Sequence, residues 1–214
     1  MTVLSVAFDT TPRIVDSADA LAAIHASESP LAIWHRPASA AIGRELTSLP
    51  GTPHAGARTR VHAGQAREQL TALLAARLAE AETAFPAWLS DLELLTDTFF
   101  QLADERPITA RLETLDRTGC PRFHVDHSCL RLVCAYRGPG TEWLDEDQVD
   151  RLALDSGAPN EAIIRTGCPN RMPTFAVGVM KGSRYPGHAD AGLVHRSPAF
   201  EPGNPPRVLF CLDC

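Results

Sequence analysis

Two side chains that can bind a metal ion stand two positions apart near the middle of the chain: His124 and Asp126, in the segment CPRFHVDHSC. If the segment is extended, residues i and i+2 project to the same face. An imidazole and a carboxylate side by side can supply two ligands of a divalent metal ion. His195, in the segment GLVHRSP, can supply the third. Such a triad leaves coordination positions open for substrate and oxygen.

A different metal site could be built in the same segment from Cys120, His124, His127 and Cys129, which offer the atoms that tetrahedral zinc prefers. Their spacing, CxxxH followed by HxC, departs from finger and ribbon patterns. His127 follows Asp126 directly, so on a strand it faces the other way. It is interpreted either as a supporting or substrate-contacting residue or as an ordinary hydrogen-bonded histidine.

Three further groups have both a chemical and a structural interpretation. A second His-x-Asp, at 188–190, lies between glycines in a turn-rich loop and could serve as a lid or a substrate contact. Cys211 and Cys214 form a CxxC at the end of a strand-like run, whereas a redox CxxC normally opens a helix. We therefore expect Cys211 to pack inward. Arg196 could steer an anionic substrate or pair with one of the acidic groups.

Composition narrows the class of protein. The 214 residues include 20 Lys and Arg against 26 Asp and Glu, a formal charge of −6, which argues against binding nucleic acid through bulk charge. No apolar run approaches the roughly 20 residues of a membrane helix, and the first residues lack signal-peptide features. The sequence predicts a single soluble, cytoplasmic domain over 1–214, with six cysteines that need no disulfides.

The secondary structure that must position these residues is predicted to differ between the two halves of the chain. Residues 1–110 are predicted to be a mostly helical support. The predicted elements are a helix from Ser17 to His25, a strand at 31–35, an irregular segment at 37–64 that could cover a pocket, a helix at 65–84, and a helix starting at Pro86.

Residues 111–214 instead predict a β-rich core that carries the metal site. Strand candidates at 129–136, 174–182 and 207–213 are separated by loops rich in glycine and proline. The fold class is therefore α+β, with a helical layer on a β-sandwich or small barrel. No GxGxxG, P-loop or GxSxG motif is present, so nothing indicates dinucleotide binding, P-loop chemistry or a serine hydrolase.

The order of these residues resembles that of the iron(II)- and 2-oxoglutarate-dependent dioxygenases. Their pattern is His-x-Asp on one strand, a distant histidine, and an arginine about ten residues later on the last core strand. The resemblance implies a double-stranded β-helix (jelly-roll or cupin-like) core under a helical N-terminal layer. It also implies that His124, Asp126 and His195 are ligands of iron(II).

The same resemblance assigns a site for the co-substrate, 2-oxoglutarate. Arg207, twelve residues after His195, would pair with its distal carboxylate, as a guanidinium can do through two hydrogen bonds. Tyr136 would hydrogen-bond the same carboxylate if it faces the same way as His124. These dioxygenases commonly have Ser or Thr two residues after the arginine, but this chain has Leu209.

Over residues 111–213 the sequence also resembles a small bacterial family, domain of unknown function 1826. The resemblance lies in the stretches CPRFHVDH, LRLVCAYRGPGTEWL, KGSRYPG and GLVHRSP. Members of that family are often linked to zinc-homeostasis gene neighbourhoods, which supports a role for a metal.

Three functions follow as hypotheses. The first is an iron(II)- and 2-oxoglutarate-dependent oxygenase acting on a small-molecule or protein substrate. The second is a non-catalytic, zinc-binding, cupin-like protein of metal homeostasis, and the third is a metal-free barrel used for protein contact. An oxygenase needs Arg207 directed at the metal site and an open coordination position, whereas a structural zinc site is closed and four-coordinate.

Overall fold

The computed structural model describes residues 10–49, 54–75, 85–187 and 191–214. These residues form ten strands, six α-helices and two short 3-10 helices, the latter at Asp19–Ala22 and Glu146–Gln148. The strands are β1 (Arg13–Val15), β2 (Leu31–Trp34), β3 (His54–Val61), β4 (Ile108–Leu115), β5 (Leu130–Arg137), β6 (Glu142–Leu144), β7 (Asn170–Arg171), β8 (Val177–Lys181), β9 (Val194–Arg196) and β10 (Arg207–Asp213). The helices are α1 (Ala23–Ala26), α2 (Ala40–Thr47), α3 (Ala66–Ala75), α4 (Pro86–Leu102), α5 (Arg151–Asp155) and α6 (Asn160–Ile163).

The strands form two sheets. Seven strands make the larger sheet, in the order β1-β2-β8-β5-β10-β4-β3, and three make the smaller one, in the order β7-β6-β9. Every neighbouring pair is antiparallel except β1 with β2. Strand β10 lies inside the larger sheet, so Cys211 stands opposite Arg111 of β4 on one side and Val133 of β5 on the other.

The two faces of the larger sheet contact different layers. One face packs on the helices, and alternate strand residues such as Leu132, Phe210 and Leu212 are buried there with Trp88 and Leu92 of α4. The opposite face packs on the smaller sheet. Its buried residues include Val133, Leu209 and Cys211 of the larger sheet and Trp143 of β6. The molecule is thus a mixed α+β structure with a large sheet between helices and a second sheet.

Helix α4 confirms the helix predicted from Pro86. Proline occupies the first turn, where its missing N–H is not needed, and the predicted apolar stripe is buried. The Glu45 carboxylate of α2 accepts hydrogen bonds from the backbone N–H groups of Ala87 and Trp88, at 2.9 and 2.8 Å. It thereby satisfies two donors that every helix leaves unpaired at its start. None of the helices in the described part of the chain has the length and apolar character needed to cross a membrane.

The N-terminal segment differs from its prediction. Residues 37–64, expected to be irregular, contain α2 and the edge strand β3, which pairs with β4. The side chain of Ser39 accepts a hydrogen bond from Ile42 N and caps α2, so the polar and Gly/Pro-rich stretch contains a helix start. The described part of residues 1–110 therefore contains the strands β1, β2 and β3 besides its helices. The helix predicted over 65–84 is described only as far as Ala75.

Candidate metal centre

His124 and His195 are brought together by backbone pairing. His124 N donates to His195 O and His195 N donates to His124 O, both at 3.0 Å. This bridge extends the smaller sheet by one residue, because His195 lies on β9 and pairs with Trp143 of β6 on its other side. The two imidazole rings lie with their centroids 4.5 Å apart. His124 and His195, which are 71 positions apart in the sequence, thus lie side by side on the same face of the smaller sheet.

Asp126 completes the group. One potential ligand atom from each of His124, Asp126 and His195 lies within 4.8 Å of the others. Nε2 of His124 is 3.6 Å from Oδ1 of Asp126, and Nε2 of His195 is 3.1 Å from Oδ2. Ligands of one metal ion at bond lengths near 2.1 Å are separated by roughly 3 Å. In the described part of the chain, no other set of three such side chains converges.

Backbone carbonyls orient both imidazoles. Nδ1 of His124 lies 2.8 Å from Arg122 O, and Nδ1 of His195 lies 3.1 Å from Leu193 O. A carbonyl oxygen can only accept, so each Nδ1 carries the proton and donates it. In the neutral tautomer, Nε2 is then left with a free lone pair directed at Asp126. This is the arrangement that metal-binding histidines usually have.

The Asp126 carboxylate is buried, and its charge is balanced by cations. Burial by itself raises the pKa of Asp126, but the interactions with His124 and His195 and the charge of Arg131 outweigh it and hold the pKa well below the usual range. In turn, the interaction with Asp126 raises the pKa of His124 against the opposing effect of burial. Nη1 of Arg131 is 2.5 Å from Oδ2 of Asp126, yet Oδ2 accepts no hydrogen bond of regular geometry.

The donor set fits a metal such as iron(II). It offers two imidazole nitrogens and a carboxylate with one buried oxygen that lacks a directional partner, and this combination suits divalent first-row metals. A cavity of about 280 Å³ lies beside it. Apolar residues such as Val133 and Leu209 line this cavity together with His124, His195, Thr141, Arg111 and Arg131. The space can hold a small organic ligand next to the metal ligands.

Arg207 begins β10 on the same face as Leu209, which lines this cavity. The residue is 5% exposed. Its Nε donates to Pro139 O at 2.7 Å, and Nη2 lies 3.4 Å from Oγ1 of Thr141, a residue of the cavity wall. Burial lowers the pKa of Arg207. Arg207 also lines a second cavity, of about 410 Å³, which shares Arg117 and Gly119 with the first.

The structure does not bring Tyr136 to the metal cavity. Its hydroxyl donates to Oδ2 of Asp91 in α4 at 2.5 Å, and its ring packs edge-on against Trp88 and Phe175 on the helical side of the sheet. Residues 127–129 form a bend between Asp126 and β5, so the two-residue alternation does not continue from His124 to Tyr136. In β5, Arg131 and Val133 face the cavity instead.

The alternative cysteine-containing zinc site is not assembled. Cys120 is exposed, and Nδ1 of His127 lies 3.1 Å from Oγ of Ser183. Cys129 pairs through its backbone N with Cys214 O at 2.9 Å. All six cysteines are free thiols, and Cys211 is buried in the cavity wall as its strand position predicts. A metal ion in this region would therefore be bound by His124, Asp126 and His195, without a cysteine ligand.

Of the two other candidate groups, one has a clear position. Arg196 donates from Nε to Oε2 of Glu142 at 2.8 Å, which matches its interpretation as an ion-pair partner. The second His-x-Asp, at 188–190, lies outside the described residues. Arg131 of β5 and Arg111 of β4 also line the cavity, although no motif in the sequence marks them as site residues. The available signal was their alternation with apolar residues, in LRLV and ITARL.

Comparison with solved structures shows a shared fold. The structure is similar to the dioxygenase for auxin oxidation from rice, with 15% sequence identity and a TM-score of 0.56 over 95% of this chain and 82% of that one. It is also similar to dioxygenase for auxin oxidation 1 from Arabidopsis thaliana, solved with 2-oxoglutarate. That match has 12% identity and a TM-score of 0.57, over 95% and 92% of the two chains. No curated protein sequence matches significantly.

The sequence also matches a family model over nearly its whole length. The match spans residues 15–213 and includes all three residues of the triad. The chain therefore belongs to the family described as protein of unknown function, DUF1826.

Proposed function

We propose that the protein is an iron(II)- and 2-oxoglutarate-dependent oxygenase built on a double-stranded β-helix core under a helical N-terminal layer. The observation that carries the proposal is the convergence of His124, Asp126 and His195 at a cavity between the two sheets. The fold shared with two dioxygenases at TM-scores of 0.56 and 0.57 supports the architecture. A shared fold does not establish an activity, so the proposed activity is inferred from the residues of the site.

The chain's own residues have distinct roles in this proposal. The carbonyls of Arg122 and Leu193 fix the two imidazoles with Nε2 toward the metal position. Arg131 keeps the buried Asp126 carboxylate ionised and in place. When bound, iron(II) with 2-oxoglutarate and oxygen supplies the oxidising chemistry that acts on a C–H bond and releases succinate and carbon dioxide. Val133, Leu209 and Cys211 supply the apolar part of the cavity wall, against which the reacting C–H bond would lie.

Arg207 is the proposed partner of the distal carboxylate of 2-oxoglutarate. Three observations support this role: the guanidinium is buried, no carboxylate in the described residues pairs with it, and it approaches the hydroxyl of Thr141 in the cavity wall. A buried cation without an anionic partner is unfavourable until an anion binds. Thr141 could supply the hydroxyl that related enzymes place two residues after the arginine, where this chain has Leu209.

Metal analysis tests the proposal. Protein purified without oxygen is compared with His124→Ala and His195→Ala, and with His62→Ala as a control that removes an exposed histidine elsewhere. We expect one metal ion per wild-type chain after iron(II) reconstitution, an unchanged value for His62→Ala, and loss in both ligand variants. 2-Oxoglutarate should then produce a visible charge-transfer band with the iron(II) form.

The other outcomes distinguish the remaining hypotheses. Imidazole and carboxylate ligands also accept zinc, which often binds more tightly than iron(II). Stoichiometric zinc that iron(II) does not replace, with no response to 2-oxoglutarate, would instead support the zinc-binding, non-catalytic protein. A wild-type chain that takes up no metal even on reconstitution would exclude both.

A further inference from the structure

Two cysteines, Cys129 and Cys214, meet where two neighbouring strands end. Cys129 precedes β5 and Cys214 follows β10, and these strands pair antiparallel as far as Arg131 and Asp213. Cys129 N donates to Cys214 O at 2.9 Å, and Cys214 N donates to Leu130 O at 3.2 Å. Residues paired across strands by such hydrogen bonds have Cα atoms about 5.5 Å apart. That spacing lies within the range that a disulfide spans, about 4.4–6.8 Å.

The two thiols lie on the same side of the larger sheet. Both side chains are half-buried against the helix-facing core. Burial, together with the interaction between the two thiols, raises the pKa of Cys214 to about 11. The CxxC motif does not supply the partner, because Cys211 lies three positions before Cys214 on an extended strand and faces the smaller sheet. The partner of Cys214 is therefore Cys129.

Cys129 also lines a cavity of about 350 Å³, through which a reagent can reach its sulfur. Nη1 of Arg106, another residue of the cavity wall, lies 4.0 Å from Sγ of Cys129. A tight turn after α4 places this arginine, since Asp104 and Glu105 both adopt left-handed backbone conformations, with φ angles of 51° and 56°. A cation beside a sulfur stabilises the thiolate, which is the form that attacks disulfides. Cys129 therefore has the surroundings of the attacking residue.

The cysteine pair lies next to the residues that hold Asp126. Cys129 follows Asp126 by three positions in the same segment, and Cys214 follows Asp213, whose carboxylate binds Arg131. Arg131 in turn contacts the Asp126 carboxylate. A bond between the two sulfurs would therefore connect the segment that carries Asp126 to the end of β10, alongside the existing ion pairs.

We propose that Cys129 and Cys214 form a reversible disulfide by reaction with a low-molecular-weight disulfide such as glutathione disulfide. The Cys129 thiolate attacks one sulfur of the reagent, so that a mixed disulfide forms and one thiolate leaves. Cys214 then gives up its proton and attacks Sγ of Cys129, which forms the protein disulfide and releases the second thiolate. Two electrons pass to the reagent, and the two protons of the protein thiols end on the two released thiols. The reaction needs no metal and goes beyond the proposed oxygenase activity.

Oxidation of the folded, full-length protein with glutathione disulfide tests the proposal. A Cys120→Ser/Cys168→Ser background removes the two exposed thiols and leaves four of the six. We expect oxidation to leave only two, counted after denaturation, and peptide mapping to find Cys129 joined to Cys214. A disulfide that closes so long a loop should raise the urea midpoint by about 1 M or more. A reductant should reverse both changes.

Further variants in that background make the result decisive. Cys129→Ser and Cys214→Ser should each abolish the cross-link and the rise in midpoint, and the remaining cysteine should form at most a mixed disulfide. Cys134→Ala removes a buried thiol of the same sheet and should still allow the cross-link. The proposal is overturned if the folded protein forms no cross-link, if Cys129 joins another cysteine, or if the cross-linked form unfolds at a lower urea concentration than the reduced one. Should one serine variant fail to fold, the other variant and the mapped peptide still decide.

Discussion

Nη1 of Arg131 lies 2.5 Å from Oδ2 of Asp126, the carboxylate of the candidate metal centre. Through Nε the same guanidinium binds Asp213, close to the end of β10, also at 2.5 Å. A single arginine on β5 therefore links the loop that carries Asp126 to the neighbouring strand of the larger sheet. The position of the carboxylate depends on that link.

Replacing Arg131 with glutamine should weaken metal binding by about 10- to 100-fold, the usual effect of losing a residue that orients a metal ligand. Arg131→Lys retains the charge and should keep part of the affinity. Competition with a chromophoric chelator measures both, with circular dichroism to verify folding. Wild-type affinity in a folded Arg131→Gln protein would contradict this role.

Tyr136→Phe should affect stability and leave the metal site unchanged. The substitution removes the hydrogen bond to Asp91, whose carboxylate also binds Arg36 through two contacts at 2.5 and 2.8 Å. We expect the free energy of unfolding to fall by about 1–2 kcal/mol, measured by urea denaturation. Metal and 2-oxoglutarate affinities should not change. A selective loss of 2-oxoglutarate affinity would instead return Tyr136 to the co-substrate site.

Gly182 permits close packing against the loop that carries Asp126. A Cβ atom there would lie 2.3 Å from Ser128 O and 2.7 Å from Asp126 O, so the backbone would have to shift. Gly182→Ala should cost about 1–3 kcal/mol of stability and reduce metal affinity. The matched control is Gly43→Ala in α2, where a Cβ meets nothing within 4 Å and alanine should stabilise the helix by up to about 1 kcal/mol. Equal effects at both positions would contradict this explanation.

Glu142 should make stability depend on pH. Burial raises the pKa of this carboxyl, but Arg171 and Arg196 outweigh it and the pKa is lowered from 4.5. The stabilisation is therefore complete above the unfolded-state pKa and is lost as the pH falls through the folded-state value. For the metal-free protein, Glu142→Gln should cost about 2 kcal/mol at pH 7 and progressively less below about pH 4.5. Urea denaturation across that range measures the difference, and a pH-independent cost would contradict the ion-pair explanation.

The convergence of His124, Asp126 and His195 can be predicted from the sequence because two signals agree. The pair His124 and Asp126 has the spacing of one strand face, and His195 lies in a segment that forms a strand. Strands β2, β5 and β10 and helix α4 were also predictable, since their apolar patterns are continuous. The pattern of apolar residues along the sequence predicts a helix or strand correctly where one whole face of that element is buried.

What could not be predicted depends on contacts between distant residues. Arg131 pairs with Asp213 across 82 positions, and no local pattern indicates that pair. The direction of Tyr136 was missed because a bend intervenes between Asp126 and β5. The strand β3 was missed because its polar sequence, HAGARTRV, forms a ladder only when β4 lies beside it.

The alternation along β10 separates two kinds of constraint within one strand. Val208, Phe210 and Leu212 belong to the helix-facing core, whereas Leu209 and Cys211 line the metal cavity and pack against the smaller sheet. The even-numbered positions therefore contribute to folding, whereas Leu209 and Cys211 contribute both to folding and to the shape of the cavity. A substitution at Leu209 or Cys211 should therefore change ligand preference and stability together, so new selectivity at this strand would need compensating changes elsewhere in the core.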